Sequence, residues 1–168
     1  MITLRRATSG DVDWLVALLT REDTEPFLRG GRTLDRDSIS AEVERSQREP
    51  DRFGSLIIEL DGERAGVMDF EERSDVHRIA DLGGLALHPD FRGRGIADEA
   101  AHLFQRYLLL ELGYHRLQLK CYGFNDRAIR HTERAGYIRE GVERRAYLRH
   151  GEWQDAVNFA LLREDIDE

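Results

Sequence analysis

The chain has 168 residues and a single cysteine, Cys121, which excludes an internal disulfide framework and any cysteine-based metal cluster. Its six histidines are scattered without His-x-x-x-His spacing, so no metal site is expected. No apolar run approaches the roughly 18 residues of a membrane helix. The N-terminus carries no signal-peptide core, which makes the cytoplasm the expected location. Of 25 basic side chains only one, Lys120, is lysine, and it lies far from any glycine loop of the Gly-x-x-x-x-Gly-Lys-Ser/Thr kind. A P-loop is thereby excluded. Repeats, linkers and low-complexity tracts are missing, so residues 1–168 are expected to form one domain. The net charge of −8 argues against a general nucleic-acid binder and suits a cationic substrate.

The organising stretch runs from Ile79 to Ala101. It reads as a buried strand ending near His88, a stop at Pro89, an Arg- and Gly-rich loop, and a helix. Arg92-Gly93-Arg94-Gly95-Ile96-Ala97 places two glycines and two guanidinium groups at that helix's N-terminus. Unpaired N–H groups and the positive end of the helix dipole make this an anion site, and glycine lets the backbone approach a diphosphate closely. A dinucleotide fingerprint is excluded because Asp98 stands where its third glycine belongs.

Taken in order, residues 1–6 form a strand with Ile2 and Leu4 on one side, and Ser9 caps a helix bearing Trp14, Leu15, Leu18 and Leu19. A loop, Arg21 to Gly31, leads to a second helix, Asp35 to Arg48, anchored only by Ile39 and Val43 and therefore expected to be exposed and mobile. Strands at 53–60 and 63–71 flank Asp61-Gly62, a type I′ hairpin signal. A strand over 76–88 follows, then a helix over 95–111 with Ile96, Ala100, Leu103, Phe104, Tyr107 and Leu110 on its inner face. Next come a strand at 115–121, a helix from Asn125 to Arg134, and strands at 137–149 and 152–162. The fold class is α+β (mixed α/β), with about seven strands and four helices.

Three motifs carry a family resemblance: Arg92-x-x-Gly95-x-Ala97; Asn125-x-x-Ala128-Ile129-x-x-x-Glu133-Arg134-x-Gly136-Tyr137; and Arg139 through Gly151-Glu-Trp-Gln-Asp155 to Leu162. In this order and spacing the chain resembles the GCN5-related N-acetyltransferases (GNAT), in the branch acting on ribosomal proteins and polyamines. The resemblance implies the GNAT fold, a mixed, mostly antiparallel sheet flanked by four helices. It also implies acetyl-CoA as cofactor and direct attack of a primary amine on its thioester. The acceptor partner would be a small polyamine-like amine or a protein N-terminus, with no nucleic acid or membrane involved and a homodimer as the assembly to test. The alternative is a catalytically silent acyl-CoA-binding module.

Site residues follow from the same resemblance. The diphosphate would lie on Gly93, Arg94, Gly95, Ile96 and Ala97, with Arg92 and Arg94 adding charged contacts. The pantetheine arm would add to the backbone of Leu85, Ala86 and Leu87, beside a bulge suggested by Gly83-Gly84. Asn125 would contact the cofactor, cap its helix, or both. Asp81 stands eleven residues before Arg92, where histone-type members carry the base; it reads equally as a strand-end aspartate partnered by backbone or Arg78. The Leu85 N–H would donate to the oxyanion. Thr132 occupies the place of the usual tyrosine acid, leaving Tyr122 as substitute or as a packing aromatic, with an acetyl-Cys121 route as a lesser option. Glu22, Asp23, Glu25, Asp69 and Glu71 could draw in a cationic acceptor.

Overall fold

A computed structural model describes residues 1–28 and 32–166, so the end of the predicted loop, residues 29–31, lies outside the described residues. The elements are β1 (Ile2–Arg6), α1 (Val12–Leu19), α2 (Arg36–Arg48), β2 (Phe53–Leu60), β3 (Glu63–Ser74), β4 (Ile79–Leu82) and β5 (Ala86–Leu87). They continue with α3 (Ile96–Arg106), β6 (Arg116–Tyr122), α4 (Asp126–Arg134), β7 (Ile138–Arg149) and β8 (Glu152–Leu162). Seven strands run in the order β1-β2-β3-β4-β6-β8-β7, and β5 pairs with β3 alone. All described pairings are antiparallel except β4 with β6, the two strands joined through α3.

Strand alternation sorts the core onto two faces. Ile58, Met68, Ala80 and Leu117 pack under α3 with Phe104, Leu108 and Leu109, joined by Tyr137. Ile57 and Val67 take the other face, covered by Leu15, Leu18 and Leu19 of α1 and Ile39 and Val43 of α2. The expected exposure of α2 holds for only part of its surface: its inner stripe is buried, with Ile39 1% and Val43 3% exposed. Both hairpin turns have the positive φ at two successive residues that type I′ demands: Asp61 and Gly62 at 52° and 86°, His150 and Gly151 at 49° and 79°.

Three expectations are corrected. The single strand over 76–88 is broken into β4 and β5, which supplies the eighth strand. The helix from Gly95 is regular only to Arg106; a π-helical turn, Tyr107–Glu111, adds a residue to the turn. That rotation buries Leu108 and Leu109 in place of Leu110, and Leu103 is left exposed. Thr8, not Ser9, opens the first helical segment, its N–H donating to Asp11 Oδ2 at 2.8 Å.

Asp11 also ties β1 to that segment. Arg5 donates to both of its oxygens at 2.7 and 2.9 Å, and Arg64 adds a bond at 3.3 Å while stacking on Trp14. Its side chain is only 4% exposed, and the Arg5 bonds hold its carboxyl far below the usual range despite burial. Asp11→Ala is expected to cost about 2–3 kcal/mol in denaturant titrations at neutral pH, because two guanidinium groups lose their partner. A carboxyl depressed in the folded state stabilises above its unfolded pKa, so the gap should be full above about pH 5 and narrow as the pH falls below about 4.

Candidate functional site

The break between β4 and β5 is built by one extra residue. Gly83 N–H donates to the Asp69 carbonyl at 2.8 Å, and Ala86 pairs with Val67. Two residues, Gly84 and Leu85, therefore face the single Met68, which is a β-bulge as Gly83-Gly84 suggested. His88 N–H donates to the Ala65 carbonyl at 2.8 Å, and ladder alternation then turns the backbone groups of Leu87 away from β3. β6 pairs with β4 through Ile79, Ala80 and Asp81 but not with β5, and no ladder among the described residues takes β5's other edge. The result is a splayed slot flanked by Leu85, Ala86 and Leu87.

Beyond it, Pro89–Phe91 forms a 3-10 turn, and Gly93 and Gly95 take φ of 76° and 74°. A Cβ at either would meet nothing within 4 Å, so both glycines face open space. Gly95 is the N-cap of α3, whose first N–H groups have no intrahelical acceptor. A left-handed, side-chain-free turn running into a helix N-terminus fits a diphosphate, and the slot beside it fits an extended amide-bearing arm. The slot at residues 85–87 and the glycine turn at 93–97 thus form one continuous open surface.

Arg92 is spent on protein partners at the rim of that slot. Its guanidinium donates to the Leu87 carbonyl at 3.1 Å, to Asp23 Oδ2 at 3.1 Å and to Thr24 Oγ1 at 3.3 Å. It clamps the loop to the end of β5 and to the segment after α1. Arg94 lies over Phe91 at 5.5 Å and keeps its exposed position beside the glycines. Asn125 Oδ1 accepts from Ala128 N–H at 3.1 Å, so the helix-cap reading is realised. Asp98 accepts from His131 Nδ1 at 2.9 Å and from Arg134 at 3.4 Å, joining α3 to α4.

Asp69, Glu71, Asp81, Gln118 and Tyr122 share the face that carries α1 and α2, as the pairings of Glu71 with Asp81 and Asp81 with Gln118 require. Asp81 accepts from Gln118 Nε2 at 2.7 Å and has Arg73 at 3.8 Å. Arg78, its suggested partner, instead bonds the Leu112 carbonyl at 2.7 Å. Tyr122 is buried, stacked on Phe124, and donates to the Leu28 carbonyl at 3.1 Å. Lys120 is held by Glu143 at 2.9 and 3.0 Å, which raises its ammonium pKa. Cys121 lies on the opposite face, 3.7 Å from Thr132 Oγ1, and burial pushes its thiol up, away from a nucleophilic thiolate.

The acidic loop is largely spent on internal partners. Asp23 is drawn down to about 2 by Arg21, with Thr24 and Arg92 helping. Glu25 pairs with Arg149 at 2.7 Å and His150 at 3.2 Å, and Glu71 with Arg45 at 3.3 Å. Asp69 has Arg32 at 3.5 Å, and Arg32 is also held by Glu42 at 2.6 Å. The loop acids thus latch the segment after α1 to the β7–β8 hairpin and to the glycine loop. These latches join residues far apart in sequence, and no local spacing announces them.

Residues 1–138 match the family described as "Acetyltransferase (GNAT) domain". The uncharacterised prophage N-acetyltransferase YokL of Bacillus subtilis is 31% identical over 72% of this chain and 68% of its own. Spermidine N(1)-acetyltransferase of Escherichia coli is 28% identical over 64% of this chain and 58% of its own. The Vibrio cholerae spermidine N-acetyltransferase, solved in complex with CoA and spermine, shares the fold with a TM-score of 0.87 and 19% identity, covering 98% of this chain and 96% of that one. RimL, a ribosomal L7/L12 alpha-N-protein acetyltransferase solved with coenzyme A, gives 0.83 and 20%, covering 96% and 93%.

Gly95→Val is expected to weaken CoA binding by at least about 100-fold in calorimetry while the folded state survives. A branched Cβ enters the open space and is strained at positive φ by about 1–2 kcal/mol. Unchanged affinity would remove this loop from the cofactor site.

Proposed function

Since the chain belongs to the GNAT acetyltransferase family, we propose that it moves the acetyl group of acetyl-CoA onto a primary amine of a small polycationic acceptor of the polyamine kind. The single observation carrying this reading is the bulged slot, which joins the glycine loop on one side to a row of carboxylates on the other. Acetyl-CoA supplies an activated acyl thioester. The backbone of Gly93, Arg94, Gly95, Ile96 and Ala97 holds its diphosphate, Leu85, Ala86 and Leu87 receive the pantetheine arm, and Asn125 adds a further cofactor contact besides capping its helix. The Leu85 N–H, at the bulge, stabilises the charge that develops on the acyl oxygen.

Asp81 and Asp69 form the acceptor-side carboxylate row, where a cationic amine meets negative charge before it reaches the thioester. Tyr122 serves as proton donor to the departing thiolate once its hydroxyl leaves the Leu28 carbonyl. Spermidine is the acceptor named for the Escherichia coli relative, which supports a polyamine here. A protein N-terminus is the second reading, supported by the likeness to RimL. We further propose one domain over residues 1–168, a cytoplasmic location, and a homodimer. Among the described residues no helix is long and apolar enough to cross a membrane. Val142, Leu148 and Trp153 lie exposed on one face of β7 and β8, a strip suited to a second copy, which sedimentation would detect.

Thiol release with spermidine, spermine, a basic N-terminal peptide and a neutral amine of similar size tests the reading. The polyamines are expected to exceed the neutral amine in kcat/KM by about tenfold or more at low ionic strength, with the margin falling as salt rises. CoA binding without thiol release from any amine would instead mark a silent acyl-CoA-binding module.

A further inference from the structure

Asp69 is the acceptor-face carboxylate that the bulge brings nearest to the slot. Gly83 stands opposite it, whereas Asp81 stands opposite Glu71, one strand repeat of about 7 Å further from Leu85. A Cβ at Gly83 would come within 3.1 Å of Asp69 Cβ and 3.6 Å of Oδ2, and one at Gly84 would meet nothing. Two glycines therefore leave the Asp69 carboxylate uncovered toward the break. Its side chain is 20% exposed against 40% for Asp81, so it is more deeply set than Asp81 yet not sealed from solvent. Arg32 faces it from the segment before α2 and Glu42 from α2 itself. Ser55 lies across on β2, Glu71 further along β3, and Asp81 on β4.

We propose that Asp69 is the general base of the transfer, taking the proton from the acceptor ammonium; this rests on the acetyl-transfer reading above. The ammonium gives one proton to the Asp69 carboxylate and becomes a neutral amine with a free electron pair. The nitrogen forms its bond to the acetyl carbon as the carbon–sulfur bond breaks, and the electron pair of that bond leaves on sulfur. The thiolate takes its proton from Tyr122, the nitrogen's surplus proton restores the Tyr122 hydroxyl, and Asp69 returns its own proton to solvent. Geometry is seconded by proton affinity. Burial pushes the Asp69 carboxyl up to about 6; Arg32 opposes that rise, Glu42 adds to it and Ser55 opposes it. A carboxylate of that strength is ionised at neutral pH and binds a proton better than an exposed one.

The test measures thiol release by the full chain with the amine panel, from about pH 5.5 to about 9.5, for wild type, Asp69→Asn, Asp69→Glu and Asp81→Asn. Asp69→Asn should lower kcat by about 10²–10⁴-fold, lose the acid limb near pH 6, and recover as the amine deprotonates unaided at high pH. Its acetyl-CoA affinity by calorimetry should stay at the wild-type value, and Asp81→Asn should lose less. A wild-type acid limb in Asp69→Asn, or a larger loss in Asp81→Asn, overturns the proposal while acetyl transfer stands. Should Asp69→Asn not fold, Asp69→Glu decides: a displaced acid limb supports the assignment and an unmoved one sinks it. A wild type silent toward every amine overturns the acetyl-transfer reading and this assignment together.

Discussion

One extra residue between Gly83 and Ala86 governs the architecture. Two peptide units stand opposite Met68 where a regular ladder holds one, so β4 and β5 cannot both follow β3 and keep β6 alongside. β4 stays in register with β6, and β5 is carried off with an open edge. The same displacement exposes the backbone near Leu85, aims the chain through Pro89 into the glycine loop, and uncovers Asp69 on the other face. Slot, glycine loop and uncovered carboxylate thus share one geometric cause.

Charge is distributed to hold the walls of that slot. A net charge of −8 suggests an open acidic surface, yet most of the acids near the site are matched by arginine. Arg92 bridges β5, the glycine loop and the segment after α1, and Arg149 reaches that same segment from β7. Exposed pairs of this kind contribute little singly to stability. Arranged around a cleft, they instead fix the position of a segment that has few apolar anchors of its own.

The sequence was legible wherever a residue's role depends on its near neighbours. Period-two and period-three-to-four patterns located the strands and helices, Asp61-Gly62 marked a hairpin turn, and Gly93 and Gly95 marked the open loop before α3. Gly83-Gly84 signalled the bulge, though not that the strand would part into two. The π-helical turn escaped because Tyr107 to Glu111 reads as ordinary helix, and only packing at Leu108 and Leu109 selects the wider turn. Arg92 reads as a phosphate ligand from its motif, but its partners Asp23 and Thr24 lie nearly seventy residues away. Asp69 was visible as an acid. Its standing beside the break follows from pairing between strands, which no local pattern records.

The scarcity of lysine has a chemical consequence that the pairing of Lys120 completes. A catalyst working next to a reactive thioester exposes its own surface to acylation, and the groups at risk are neutral amines. Guanidinium stays protonated and does not compete for an acyl group at ordinary pH. The chain offers one side-chain amine, kept charged by Glu143, and an N-terminal ammonium paired with Asp61. Among the described residues, arginine supplies most of the other basic contacts to carboxylates. The chain is thus nearly devoid of the functional group it modifies, and offers its own reagent few amines to acylate.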